Sequence, residues 1–84
     1  QNYQERKEWQ KKINKAEKAV KESEKRIANM EQRIKELDAL LMDPKNASDM
    51  ELVTEYTSTK QKLDQENEQW FMLSEALNEL KDKV

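Results

Sequence analysis

Five lysines near the start of the chain have the type and spacing needed to contact phosphate groups. We refer to them as the lysine face: Lys7, Lys11, Lys18, Lys21 and Lys25. Three of them recur every seven residues, and the other two lie beside these on the same side of a helix. Such a row can follow the phosphate backbone of a nucleic acid, each lysine adding a salt-sensitive contact without reading base sequence. Glu8 and Glu22 interrupt the row, so an ordinary solvated helix face is the alternative interpretation.

Other chemistry is restricted by the residue types that the sequence lacks. The chain has no Gly, His or Cys. A glycine-rich phosphate loop, the usual nucleophile-base pair and a zinc site therefore have no residues to form them. Carboxylates are plentiful, but paired acid-base catalysis needs a concave and partly dry pocket, which two helices alone do not provide. We therefore expect no catalytic residues, no metal site and no bound cofactor, and predict that the chain is not itself an enzyme.

Composition favours long helices with polar faces. The 84 residues are 40% charged and 35% hydrophobic, with one Pro and a formal net charge of -2. Leu, Ile, Val and Phe are scarce enough to make disorder a competing interpretation, which the low net charge and regular apolar spacing argue against. No apolar run approaches the roughly 20 residues that span a bilayer, so no membrane association is expected. The chain begins at Gln1 and has no Met before Met30, so we expect one domain, residues 1–84, excised from a larger protein.

A turn around Pro44 divides the chain into two helical arms. Proline lacks the N–H of a helix interior and disfavours the helical conformation of the preceding residue, so a helix should end near Met42. Ser48 and Glu51 are spaced as a capping box, in which each side chain bonds to the backbone N–H of the other. The sequence predicts a helix over about 4–42, a turn over 43–48 and a helix over about 49–83, as in an αα-hairpin.

Apolar residues recur at alternating steps of four and three in both arms. This period of 3.5 residues is typical of a coiled-coil seam. In the first arm the seam positions are Trp9, Ile13, Ala16, Val20, Ser23, Ile27, Met30, Ile34, Leu37 and Leu41. In the second they are Leu52, Tyr56, Thr59, Leu63, Glu66, Trp70, Leu73, Leu77, Leu80 and Val84. The predicted fold is all-α, an antiparallel two-helix coiled-coil hairpin.

Three of the seam positions are polar, namely Ser23, Thr59 and Glu66. We interpret them as solvent-accessible positions in a thin two-stranded coil. The tightest folding of the hairpin places Ser23 opposite the bulky Trp70, whereas a slip of one heptad would place Ala16 there. Both arrangements are sterically acceptable.

Charge is distributed unevenly over the hairpin. Residues 1–42 hold 11 Lys/Arg and 8 Asp/Glu, a net of +3, whereas residues 43–84 hold 5 and 10, a net of -5. Along the first arm one flank of the seam is acidic, with Glu17, Glu24, Glu31 and Asp38, and the other is basic, with Lys12, Arg26 and Arg33. Flanks of opposite sign help select a partner and its orientation.

Several segments resemble the C-terminal coiled-coil domain of ABC-F ATPases of the Uup type. They are Ala19–Ile27, Leu37–Leu41, the turn at Asp43–Pro44, Ser48–Leu52, and Leu63–Asp64 followed by Trp70 and Leu73. The resemblance covers nearly the whole chain. Its most specific parts are the turn after a long Glu/Lys-rich arm and the seam aromatics Tyr56 and Trp70.

The resemblance implies a cytoplasmic parent protein with two upstream cassettes that bind ATP and Mg and act at the ribosome to adjust translation. It implies that the hairpin is a non-catalytic accessory domain. Such a domain contacts DNA, as in the Uup type, or ribosomal RNA, and it can also contact the cassettes. The family has no motif that marks the particular lysines of the lysine face.

Two alternatives remain open. The hairpin more loosely resembles the coiled-coil arm of some aminoacyl-tRNA synthetases, which would make tRNA the partner. It is also compatible with a purely structural or oligomerising module. We expect a monomer, and the alternative is a dimer that forms a four-helix bundle through Phe71 and its apolar neighbours.

Overall fold

The computed structural model describes residues 3–83 and consists, over that range, of two α-helices and the turn between them. Helix α1 spans Tyr3–Met42 and helix α2 spans Met50–Asp82. These bounds lie within one residue of those expected from the sequence. The helices pack along one another in a rod of 66 × 15 × 14 Å, and the all-α helical hairpin predicted from the sequence is confirmed.

The two helices run antiparallel. At the open end of the hairpin the Trp9 indole Nε1–H donates to the backbone oxygen of Leu80 at 3.0 Å. Nearer the turn, Arg33 of α1 binds Glu55 of α2. Because the start of α1 meets the end of α2, the chain folds back on itself over its whole described length.

The seam lies where the 3.5-residue period predicts it. Every seam position between Trp9 and Leu80 is buried or half-buried. Ile13, Ile34, Leu37 and Leu77 are the most buried apolar residues, and Leu37 has no exposed surface. Val84 lies outside the described residues. Burial of this single apolar stripe, rather than an enclosed core, holds the two helices together.

The turn is closed by backbone bonds around Asp43. Its N–H donates to the Leu40 oxygen at 3.3 Å, which ends α1, and its own oxygen accepts from the Asn46 N–H at 2.9 Å. Its carboxylate accepts from the Lys45 N–H at 3.0 Å, a local bond that aspartate commonly makes in turns. Pro44 follows directly and cannot supply the N–H that a continuing helix would need.

The cap of α2 differs from the prediction by one residue. Asp49, not Ser48, precedes the first helical residue, and its Oδ1 accepts from the N–H groups of Glu51 at 3.0 Å and Leu52 at 3.4 Å. The predicted capping box between Ser48 and Glu51 was therefore wrong. An ionised carboxylate accepts hydrogen bonds more strongly than a hydroxyl and also interacts favourably with the positive end of the helix dipole, which explains why Asp49 takes this position.

Candidate nucleic-acid interface

The lysine face lies on α1 with all five side chains exposed to solvent. Over residues 3–83 none of its lysines forms an ion pair, since the salt bridges there involve only Arg26 and Arg33 as cations. From Lys7 to Lys25 the face extends about 27 Å at 1.5 Å rise per residue. The structure thus presents five ammonium groups along one side of a single helix.

The acidic residues that interrupt the face remain exposed. Glu8 and Glu22 lie on α1 among the lysines, and neither forms an ion pair within the part of the chain that the structure describes. Glu22 lies one turn before Arg26, and its charge contributes to the raised pKa of that guanidinium, although the hydrogen bond to Glu66 is the larger cause. The two carboxylates therefore reduce the positive potential of the lysine face without covering it.

Arg26 and Arg33 of α1 contact the second helix instead. Arg26 donates from Nε to Glu66 Oε1 at 3.0 Å and from Nη2 to Glu66 Oε2 at 3.1 Å. Arg33 binds Glu55 through two nitrogens, with Nη2 at 2.8 Å from Oε1, and also Glu36 on its own helix at 3.1 Å. The two-point geometry is one that the planar guanidinium makes and an ammonium cannot. Two residues of the basic flank predicted from the sequence, Arg26 and Arg33, therefore contact the acidic second helix, whereas Lys12 lies over the Trp9 ring of its own helix.

These contacts shift the pKa values of the groups involved. The hydrogen bond from Arg26, with a second bond from Ser23, holds the pKa of the Glu66 carboxyl below its ordinary value. The hydrogen bond from Arg33 likewise lowers the pKa of Glu55. The lowered pKa values extend towards acid pH the range over which both carboxylates stay ionised and paired with α1.

Ser23 is buried, contrary to the interpretation from the sequence. Its side chain is 0% exposed, and its hydroxyl donates to Glu66 Oε2 at 2.6 Å. Glu66 thus bridges Ser23 and Arg26. The interpretation was wrong for Ser23 because periodicity locates a residue in the seam but does not show whether a polar partner reaches it from the other helix. Thr59 and Glu66 remain half-buried.

Trp70 and Ser23, which the sequence placed opposite each other, form hydrogen bonds to different glutamates. The Trp70 indole Nε1–H donates to Glu24 Oε2 at 3.2 Å, one residue beyond Ser23. The other tryptophan, Trp9, has the Lys12 ammonium 5.3 Å from the centre of its ring. Each indole N–H therefore donates a hydrogen bond from one helix to the other, and both tryptophans help to hold the hairpin together.

A shallow groove at the open end of the rod is a second candidate surface. It has a volume of about 680 Å³ and lies between Trp9 and Lys83. Its other charged walls are Glu5, Arg6, Glu8 and Lys12. The mixture of signs gives no preference for an anion or a cation, so the groove does not define a ligand.

Within residues 3–83, no group of three or more Asp, Glu, His or Cys side chains is arranged to hold a metal ion. Neither α1 nor α2, as far as the structure describes them, is long and apolar enough to cross a membrane.

The fold defines the class of this chain as an antiparallel helical hairpin. Compared with known proteins, the sequence and structure match no family model, no curated protein and no solved structure.

Proposed function

We propose that the lysine face binds the phosphate backbone of a nucleic acid, and that the chain is a non-catalytic accessory domain of an ABC-F ATP-binding protein. The observation that carries the nucleic-acid proposal is a contrast within residues 3–83. The five exposed lysines form no ion pair there, whereas two arginines on the same helix are paired. The proposal for the parent protein depends on the resemblance to the Uup-type C-terminal domain.

Binding through the lysine face would use charge and shape rather than base identity. Each Lys ammonium is a point charge on a flexible stem, which suits phosphate contacts of varied geometry. Lys11, Lys18 and Lys25 are about 10.5 Å apart in turn, at 1.5 Å per residue. Since double-stranded DNA has a phosphate charge about every 1.7 Å of its axis, the straight helix can meet phosphates at each of these points.

The setting follows from the proposed family. Under it the protein is cytoplasmic, ATP and Mg are bound by cassettes outside this chain, and the hairpin supplies an additional grip on DNA or ribosomal RNA. The hairpin itself then takes no part in ATP hydrolysis. A tRNA-contacting arm would use the same lysines, whereas a purely structural module would not need them.

The test is fluorescence anisotropy of the 84-residue chain with labelled duplex DNA and a labelled RNA hairpin at two salt concentrations. We expect binding that weakens as salt rises. Changing Lys11, Lys18 and Lys25 to Glu should abolish it at moderate salt, and changing them to Gln should lower the slope of log affinity against log salt by about three, since each phosphate contact contributes about one.

A matched control changes Lys45, Lys62 and Lys81 to Glu, which alters the net charge equally but leaves the lysine face intact. This control should retain most of the affinity. Equal loss in both triple variants would show that only net charge matters and would contradict a localised interface. Absence of binding to either ligand at low salt would reject the nucleic-acid proposal and leave the structural module.

A further inference from the structure

The outer surface of α2 carries two large apolar side chains that the hairpin does not cover. Phe71 is 56% exposed and Met72 is 65% exposed, although the seam residues on either side of them, Trp70 and Leu73, are half-buried. Consecutive exposed aromatic and thioether side chains form an adaptable apolar contact, since methionine adjusts its shape readily to a partner. This pair is the centre of a surface separate from the lysine face.

Carboxylates frame the apolar pair along the helix. Glu68 lies one turn before it and Glu75 one turn after it, so both reach the same side of α2. Each is exposed, and between residues 3 and 83 neither forms an ion pair. Other acidic side chains on this helix, such as Glu66 and Glu55, are paired with arginines of α1. The surface around Phe71 thus combines an apolar centre with unneutralised negative charge.

A second copy of this chain fits the surface poorly in either arrangement. A two-fold pairing of α2 helices about Phe71 and Met72 would place Glu68 opposite Glu75 of the second copy, and the repulsion between like charges disfavours that pairing. The alternative is to dock the lysine face of the second copy on α2. That face would neutralise the carboxylates, but the positions between its lysines, such as Asn14 and Glu22, offer no large apolar side chain for Phe71.

We propose that this surface, Glu68–Glu75 with Phe71 and Met72 at its centre, binds a basic amphipathic helix from another protein. The apolar stripe of such a helix would cover Phe71 and Met72. Lysines or arginines about two turns apart on its flanks would face Glu68 and Glu75, whose positions differ by seven residues. An amphipathic helix recognised by apolar anchors at helical spacing is a recurring mode of protein recognition, and aromatic side chains commonly dominate the affinity of such contacts.

The probe is a labelled 18-residue peptide of Leu and Lys arranged as an amphipathic helix, titrated with the 84-residue chain and followed by anisotropy. We expect saturable, salt-sensitive binding. Phe71→Ala should weaken it about tenfold, the effect of removing an aromatic anchor. Glu68→Gln with Glu75→Gln should weaken it about threefold to tenfold and reduce its dependence on salt. Met50→Ala, which truncates another exposed methionine at the turn, should leave the affinity unchanged.

The outcomes separate the possible occupants. Absence of binding, equal binding of a Leu/Glu peptide of the same pattern, or affinity unchanged by Phe71→Ala would each overturn the proposal. Sedimentation of the chain alone as a concentration-dependent dimer that Phe71→Ala abolishes would instead identify a second copy as the occupant and overturn it as well. Because the substituted residues are exposed, circular dichroism should show an unchanged helical signal in every variant, so a loss of affinity reports on the surface.

Discussion

Arg26 and Arg33 lie on the flank of α1 that contacts α2, whereas Lys11, Lys18 and Lys25 lie exposed on the same helix without a partner in the described residues. Both groups have the same charge. The arginines form two-point contacts with Glu66 and Glu55 and so help fix how the two helices are aligned. The lysines make no such contact, which leaves their charge available to a ligand.

The difference shows that the sign of a charge does not reveal its role. A cation on a helix can pair within the fold, or it can face solvent and be free to bind a ligand. A planar guanidinium loses little freedom per hydrogen bond when it meets a carboxylate, so it suits a fixed contact within the fold. A strongly hydrated ammonium on a flexible stem contributes little in a surface ion pair, and suits a solvated face that meets phosphate. The following predictions test the distinction between residues that hold the hairpin together and residues that face outward.

The largest expected effect is on the free energy of unfolding, in a comparison of Leu37, which lies in the seam, with Leu40, which lies outside it. Leu37→Ala removes a side chain with no exposed surface and should lower the free energy of unfolding by about 3 kcal/mol, because lost burial adds to the cavity left behind. Leu40→Ala makes the same chemical change at a side chain that is 40% exposed and should cost less than about 1 kcal/mol. Urea titration followed by circular dichroism measures both. Equal costs would contradict the assignment of the seam.

A smaller effect on the free energy of unfolding is expected at the start of α2. Of the two adjacent polar residues there, Asp49 caps the helix and Ser48 does not. Asp49→Ala removes the acceptor for two backbone N–H groups and should lower the free energy of unfolding by about 1 kcal/mol. Ser48→Ala should change it by less than about 0.5 kcal/mol, as is usual for an exposed position that makes no special contact. The same urea titration applies. If Ser48→Ala lowered the free energy of unfolding more than Asp49→Ala, the capping box between Ser48 and Glu51 would be supported instead.

The smallest effect concerns pH and the two arginine contacts. Glu66 and Glu55 have pKa values below the ordinary 4.5 when folded, so their contribution to stability is present above about pH 4.5 and is lost as pH falls through the folded values. Thermal melts of the wild type from pH 6 to pH 3 should therefore show a larger decrease in Tm than those of the Glu66→Gln, Glu55→Gln double variant. General charge repulsion at low pH acts on both proteins, so the difference between the two curves isolates these groups. Parallel curves would indicate that the pairs contribute nothing measurable.

The sequence predicted the elements better than the contacts between them. Pro44 and the apolar period located the turn and the seam, because both depend on backbone chemistry and on spacing within one helix. The errors at Ser48 and Ser23 have a common origin. In each case a carboxylate decides the hydrogen bond. At Ser48 the neighbouring Asp49 accepts from the backbone N–H groups instead, and at Ser23 the opposing Glu66 accepts the bond from the buried hydroxyl. Spacing within one helix predicts neither contact.

The candidate surfaces show the same division. The spacing of Lys11, Lys18 and Lys25 identified the lysine face, and only the folded chain shows that none of the three is consumed by an ion pair within residues 3–83. Phe71 and Met72 were recognisable as lying outside the seam. Only the folded chain shows that Arg26 and Arg33 pair with other carboxylates, and that Glu68 and Glu75 form no ion pair within residues 3–83.

What the sequence by itself determined is the pair of helices, the turn between them and the stripe by which they pack, since a 3.5-residue period and one proline leave few other arrangements. What only the tertiary structure decided is which charges are paired. Sixteen cations and eighteen anions permit many combinations, and the alignment of two antiparallel helices selects the pairs Arg26–Glu66 and Arg33–Glu55 by bringing these side chains within hydrogen-bonding distance. Charges that form no ion pair within residues 3–83, such as those of Lys11 and Glu68, belong to the surfaces proposed for binding.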